Sequence, residues 1–206
     1  MTAVGGFWSM PLTLPREEGR GWLTERMDVR RVVTGHDASG KSVFVSDETV
    51  SPVVPMMLPN SEFHLLWGGD KTPQFPDDGT MPKWHTYFPP VGGFRFSMFT
   101  VPPETTAAPD MDIEAGVADA EAQLPGLLRY LDPSEPGMHT TDTIDFEVVL
   151  EGRIVLELDD GAEVTLHPGD TVVQNGTRHR WKNPGDTPAR VALFVCGASH
   201  AGVPAS

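Results

Sequence analysis

Pro136-Gly137-Met138-His139-Thr140-Thr141-Asp142-Thr143-Ile144-Asp145, running on to Gly152, is the stretch that decides how this chain folds. It opens on a proline-glycine turn, sets one histidine ahead of a small polar cluster, and enters an apolar run at Phe146 to Leu150. Threonine and aspartate bond to nearby backbone and favour turns. On one straight strand His139 and Asp145 would stand roughly 20 Å apart, at about 3.3 Å per residue. A turn over 140–143 instead folds the start of the next strand back beside His139, with Asp145 facing it.

Downstream the pattern is almost purely extended. Phe146 to Leu150, Ile154 to Leu158, Glu163 to Leu166, Thr171 to Gln174, Arg178 to Lys182 and Ala189 to Val195 are divided by Glu151-Gly152, Asp159-Asp160-Gly161, Pro168-Gly169-Asp170, Asn175-Gly176 and Asn183-Pro184-Gly185. Short strands separated by glycine turns at this spacing point to a sandwich or small barrel. Upstream, Arg30 to Thr34 and Ser42 to Ser46 flank a turn-prone Asp37 to Gly40 and suggest a hairpin. Glu62 to Trp67, Trp84 to Phe88 and Phe94 to Val101 read as further strands, the last with Phe94, Phe96, Met98 and Thr100 on one face. One segment departs from this pattern. From Pro109 to Leu131 the residues Ile113, Val117, Ala120, Leu124, Leu128 and Leu131 recur at helical spacing, which predicts a helix to about Gln123 and a short second piece from Pro125. Its expected role is packing on the barrel, with a lid over the mouth as the functional alternative.

The fold class is therefore all-β, with an N-terminal strand extension and one short helical segment at about 111–131. Of the 206 residues, 21 are glycine and 20 proline, in keeping with many tight turns. The expected organisation is a poorly patterned segment at 1–26, strands plus the helical segment at 27–135, a barrel core at 136–198 and a tail at 199–206. The net charge of −14 opposes attraction to phosphate backbones and anionic lipids, so neither nucleic acid nor a membrane surface is an expected partner. The single cysteine, Cys196, lies in an apolar strand and reads as an inert thiol. With no basic-then-apolar leader and no apolar run of about 18 residues, the expected location is cytoplasmic.

His139, Asp145 and, from a later strand, His179 are polar residues interrupting faces that should be apolar. Two imidazoles and one carboxylate would suit a divalent ion of iron, manganese, nickel, cobalt or zinc, with positions left open for substrate or water. Gln174 shares the parity of Val172 and points inward, where it could orient a substrate carbonyl or complete the ion's shell. Trp181 shares a face with His179 and would wall a pocket. His64 and His85 sit among aromatics, the latter beside Trp84 and Tyr87, and His85 and Tyr87 are candidate pocket residues.

The same residues resemble the cupins. Residues 136–152 look like the first cupin motif, a His-x-His pair followed by a glutamate and, six residues on, a glycine. Gly169, Gly176, His179 and Asn183 resemble the second motif. The departures are Thr141 where the motif has its second histidine, Asp145 where it has glutamate, and Gln174 or Asn175 where it has proline. The resemblance implies a jelly-roll β-barrel, a metal-assisted reaction on a small organic molecule and a homodimer, with His139, Asp145 and His179 as the ligands left to this chain.

Three readings of function follow: a non-redox lyase, isomerase or decarboxylase using His139, His179 or Asp145 to move a proton; a non-heme iron dioxygenase; or a small-molecule-binding barrel without catalysis. Aromatic residues near the pocket suit an aromatic or polyketide-like substrate. No phosphate-binding glycine loop, dinucleotide fingerprint or serine or cysteine triad is present in the sequence.

Overall fold

The computed structural model describes residues 28–106 and 110–201; the segment 1–26 lies outside the described residues. In chain order the first strands are β1 (Val29–His36), β2 (Ser42–Val50), β3 (Phe63–Gly69) and β4 (Phe94–Val101), followed by helix α1 (Ile113–Gln123) and a single 3₁₀ turn at Leu128–Tyr130. Then come β5 (Thr143–Glu151), β6 (Ile154–Glu157), β7 (Glu163–Leu166), β8 (Thr171–Asn175), β9 (Arg180–Lys182) and β10 (Ala189–Gly197).

β1 and β2 pair as a hairpin of their own. The barrel is built from a five-stranded sheet in the order β3-β4-β10-β5-β8 and a three-stranded sheet in the order β7-β6-β9. All these pairings are antiparallel. The core draws Val149, Val191, Leu193 and Val195 from the larger sheet and Ile154, Leu156 and Leu166 from the smaller, closed by Tyr87, Phe88, Leu124 and Leu127. Because β4 pairs with β10 along its whole length, β3 and β4, which precede residue 136, complete the same sheet as strands after it.

Two local readings change. Trp84 to Phe88 is not a strand: it is a bend whose Tyr87 N–H bonds Pro125 O at 2.8 Å. The prolines and aromatics there serve a packed loop rather than a ladder. On α1, Ile113 and Val117 face solvent, and the buried stripe is Gly116, Ala120 and Leu124. Small residues set this face, since a Cβ at Gly116 would meet Met111 and Met57. Asp112 caps the helix by accepting from the N–H groups of Glu114 and Ala115, and Asp119 accepts from Met56 N at 2.7 Å, so the helix is tied down at both positions. On β4 the inward residues are Arg95, Ser97 and Phe99, whereas Phe96 is exposed. Among the described residues no helix is long and apolar enough to cross a membrane.

Gly197 ends β10 against the Pro89-Pro90 corner. A Cβ there would lie 1.9 Å from Pro90 O and 2.8 Å from Pro89 O, both backbone atoms. The Gly197→Ala substitution is therefore expected to destabilise the fold by about 2–4 kcal/mol in a denaturant titration, since the strand end must shift to relieve the overlap.

Candidate functional site

His139 and His179 reach each other through backbone first. Each donates its N–H to the other's carbonyl at 2.9 Å, an antiparallel bridge that extends the smaller sheet beyond β9. The chain leaves that bridge through residues 140–142, without regular structure, and enters the larger sheet at Thr143. The break expected between His139 and Asp145 is thus where the chain crosses from one sheet to the other.

The bridge sets the two imidazoles side by side, with ring centroids 4.1 Å apart. His139 Nδ1 lies 3.0 Å from Gly137 O and His179 Nδ1 lies 2.9 Å from Thr177 O. A carbonyl only accepts, so each Nδ1 carries the hydrogen and each Nε2 keeps a free lone pair. Burial is the first cause lowering the proton affinity of both rings. For His179 the neighbouring His139 adds to it, and its pKa falls to about 3. Trp181 packs its edge on His179 at 6.2 Å and also meets Phe99 at 6.2 Å.

On β5 the usual polarity is reversed. Thr143, Asp145 and Glu147 point inward and are 3%, 3% and 4% exposed, while Phe146, Val148 and Leu150 face out at 38–44%. Asp145 Oδ1 and Glu147 Oε2 are buried without a hydrogen-bond partner. Burial raises Asp145 to about 6; burial and then the charge of Asp145 raise Glu147 to about 8. Tyr87, also buried, feels both carboxyls, and its phenol is pushed up, mainly by burial and next by Asp145. Glu147 is the residue that sequence reasoning missed. The alternation that turns Asp145 inward turns Glu147 inward as well, so the signal was present.

Gln174 links the two halves of the site. It lies opposite Asp145 in the β5–β8 register and is 3% exposed. Its amide donates to Thr177 O at 3.1 Å, the carbonyl that also receives His179 Nδ1–H, and to Thr177 Oγ1. With its NH₂ engaged in this way, Oε1 is left as the amide's acceptor. Thr141 is buried and accepts from the Thr143 hydroxyl at 2.7 Å. His85 does not join these residues: it is exposed and bonds Asp70 at 2.9 Å, on the outside of the loop that buries Tyr87. Arg95, buried on β4, holds that loop. Its guanidinium donates to Thr86 O, Gly69 O, Phe94 O and Asp70, and stacks over Trp84.

Two imidazoles are a partial donor set for an ion. Among the described residues no three His, Cys, Asp or Glu side chains are grouped closely enough to hold a metal. Asp145 sits on the larger sheet, on the face of β5 that carries Thr143 and Glu147, and does not close a three-ligand centre with His139 and His179. Asp145 is a methylene shorter than the glutamate of the motif, and Thr141 supplies only a hydroxyl where the motif has an imidazole.

Residues 130–196 match the cupin domain. Over 172 residues the chain is 33% identical to phomopsin biosynthesis cluster protein C′ of Diaporthe leptostromiformis, covering 80% of this chain and 76% of that protein. The chain belongs to the cupin superfamily. This cupin is also 26% identical to the cupin-domain-containing oxidoreductase fogC of Aspergillus ruber, over 81% of this chain and 71% of that one. To oryzines biosynthesis cluster protein J of Aspergillus oryzae it is 42% identical over 77 residues, 35% of this chain and 43% of that protein, so the match spans less than half of that relative. A crystal structure of a cupin 2 conserved barrel domain protein from Salinispora arenicola superposes with a TM-score of 0.32 at 22% identity, over 56% of this cupin and 71% of that chain.

Proposed function

We propose that this cupin is an enzyme that moves a proton on a small organic molecule inside its barrel, a reaction of the lyase or isomerase class. The observation that carries the reading is the reversed polarity of β5, which buries Asp145 and Glu147 with unpartnered oxygens. A fold alone has no reason to bury two such carboxyls, and each costs stability until something bonds it.

In this reading Asp145, ionised at neutral pH, takes a proton from carbon, and Glu147, still protonated there, delivers one to the developing anion. Two carboxyls whose surroundings separate their proton affinities are suited to opposite roles. His139 and His179 stay neutral and offer Nε2 as acceptors for a substrate hydroxyl, while Gln174 Oε1 takes a second one. Trp181, Phe99 and Tyr87 line the barrel with apolar surface that fits a planar, aromatic or polyketide-like substrate and excludes water.

A second reading is an oxidoreductase that uses an ion held by His139 and His179. It is favoured by the two free Nε2 lone pairs and by the name of the Aspergillus ruber relative. Such an ion would serve as a Lewis acid or redox centre, with its remaining positions filled by substrate or solvent.

The test incubates protein purified without chelators with a panel of aromatic and polyketide-like carbonyl compounds in heavy water, following deuterium uptake by mass spectrometry and oxygen consumption by electrode. Deuterium gained at carbon with no oxygen consumed supports proton transfer. Oxygen consumed in step with product, by protein carrying near-stoichiometric metal, would replace it with the second reading.

A further inference from the structure

The paired imidazoles stand on very little sheet. His139 is bridged through single residue pairs to Leu131 on one side and to His179 on the other, and β9 begins only at Arg180. Two backbone bonds hold His139 to His179. Two more, Asp132 N–H to Met138 O at 2.8 Å and Thr140 N–H to Tyr130 O at 3.3 Å, hold its segment to the one before it. Behind this patch lies a cluster of charged side chains. Residues alternate sides along an extended segment, so Arg178 points away from the His179 ring. There its Nη2 donates to Asp132 Oδ2 at 2.8 Å and lies 3.1 Å from Glu135 Oε1, while its Nη1 donates to Asp159 Oδ1 at 2.9 Å. One guanidinium thereby ties the segment of His179 to residues 132–135, which run up to His139, and to the turn after β6. Arg180, on the same side, is committed to Glu157 at 2.7 and 2.9 Å.

We propose that Arg178 is the positioning residue of the histidine pair, a clamp that holds the segment of His139 against that of His179 and so sets where the two Nε2 atoms point. This role rests on the reading of the barrel as a proton-transfer site in which both Nε2 atoms meet the substrate. Three features separate the cluster from an ordinary surface ion pair. A single exposed pair contributes little, because two long side chains must be ordered in water to make it. Here one planar fork serves three carboxylates, and the arginine side chain is only 21% exposed. The contact also crosses the patch. Arg178 stands beside His179 and Asp132 beside Leu131, the two outer partners of His139, so their bond passes behind the middle segment. Finally, the cluster holds more negative than positive charge. Without the guanidinium, Asp132, Glu135 and Asp159 are left as like charges and the attraction turns to repulsion. The element that yields is the weakest one, the His139 segment with two backbone bonds on each side. A displacement of about 1 Å at a reacting group is enough to cost roughly a hundredfold in rate.

The experiment compares the full chain with Arg178→Met, which keeps the aliphatic stem and removes the guanidinium. Arg30→Met, which breaks an exposed pair with Asp47 on the β1–β2 hairpin, is the control. Amide hydrogen exchange by NMR reads the backbone bridge, and the NOE between the two rings, 4.1 Å apart, reads the pair itself without any substrate. In Arg178→Met the His139 and His179 amides should exchange roughly 10–100-fold faster, with Val191, Leu193 and Val195 on β10 unchanged, and the ring NOE should weaken. On any compound turned over, kcat should fall about 10–100-fold with KM within about threefold. Arg178→Lys, which keeps the charge without the fork, should recover part of both losses, and Arg30→Met should match the wild type. Should Arg178→Met fail to fold, Asp132→Asn, which removes one arm of the clamp, makes the same test. Bridge amides and a ring NOE that stay at wild-type values overturn the proposal. Exchange that speeds up equally along β10 overturns it too, since Arg178 would then support the whole fold. Local exchange that speeds up with kcat unchanged overturns it when His179→Ala abolishes turnover. When His179→Ala keeps turnover as well, the proton-transfer reading falls and the clamp stands.

Discussion

Replacing His179 with alanine is expected to lower kcat/KM by roughly 10²–10⁴-fold on any compound that the enzyme turns over. His179 is 2% exposed, its ring is paired with His139, and its Nδ1 is committed to Thr177 O, so Nε2 is the nitrogen left for chemistry. His139→Ala should cost about as much. The double variant should cost little more than either, because the two rings share one backbone bridge and present their lone pairs together. Circular dichroism and the melting curve identify loss of fold. Turnover within about threefold of wild type in both single variants, well inside what one lost catalytic contact costs, would remove the histidines from the reaction.

Replacing Glu147 with glutamine should raise the melting temperature by roughly 5–10 °C at pH 8.5 and hardly change it at pH 5. The folded-state affinity of Glu147 for its proton is raised, from the ordinary 4.5 to about 8, by burial first and by Asp145 second. Between those values the folded chain binds more protons than the unfolded chain. Stability therefore falls as pH rises through that window and is lowest once the folded carboxyl has ionised. The buried Arg95 guanidinium gives no relief, because its donors are spent on Thr86, Gly69, Phe94 and Asp70. An amide of the same shape removes the buried charge. The same variant should lower turnover, since glutamine has no acidic proton to give. A melting curve that runs parallel to wild type from pH 5 to 8.5 would mean that Glu147 finds a partner in solution and is not the proton donor. Asp145, raised to about 6, acts with the same sign between 3.8 and 6. His179, depressed to about 3, acts with the opposite sign and removes stability as pH falls below 6.5.

Most of the barrel can be read from the sequence because each strand after residue 143 ends at a glycine or proline turn that cannot continue a ladder. The histidine pair is legible for a different reason. His139 and His179 are polar residues in runs that otherwise read as apolar, and the turn expected over 140–143 separates His139 from Asp145. Two features are hidden by the period-2 pattern. On β4 alternation finds two faces without telling which is inside: Arg95 is buried with its five N–H groups on four acceptors, whereas Phe96 lies on the opposite, exposed face. On β5 the rule that apolar residues face inward fails from Thr143 to Val148, and following it would have turned Asp145 to solvent and Phe146 to the core. Helix α1 misleads for a related reason: Ile113 and Val117 have the right spacing, but the close approach at Gly116 decides which side packs. His85 stands two residues from Tyr87, yet within this bend the two point opposite ways, Tyr87 to the core and His85 to Asp70.

Long-range ¹H–¹⁵N spectra of the histidine rings between pH 5 and 8 read the protonation state of the paired His139 and His179 imidazoles without any substrate. His179 is expected to stay neutral throughout as the Nδ1–H form with an unprotonated Nε2, and His139 to titrate below an ordinary histidine with its Nδ1 likewise on a carbonyl; His179→Ala and His139→Ala assign the two signals. Two rings that instead titrate near 6.5 like exposed histidines, or that carry the proton on Nε2, would contradict that state.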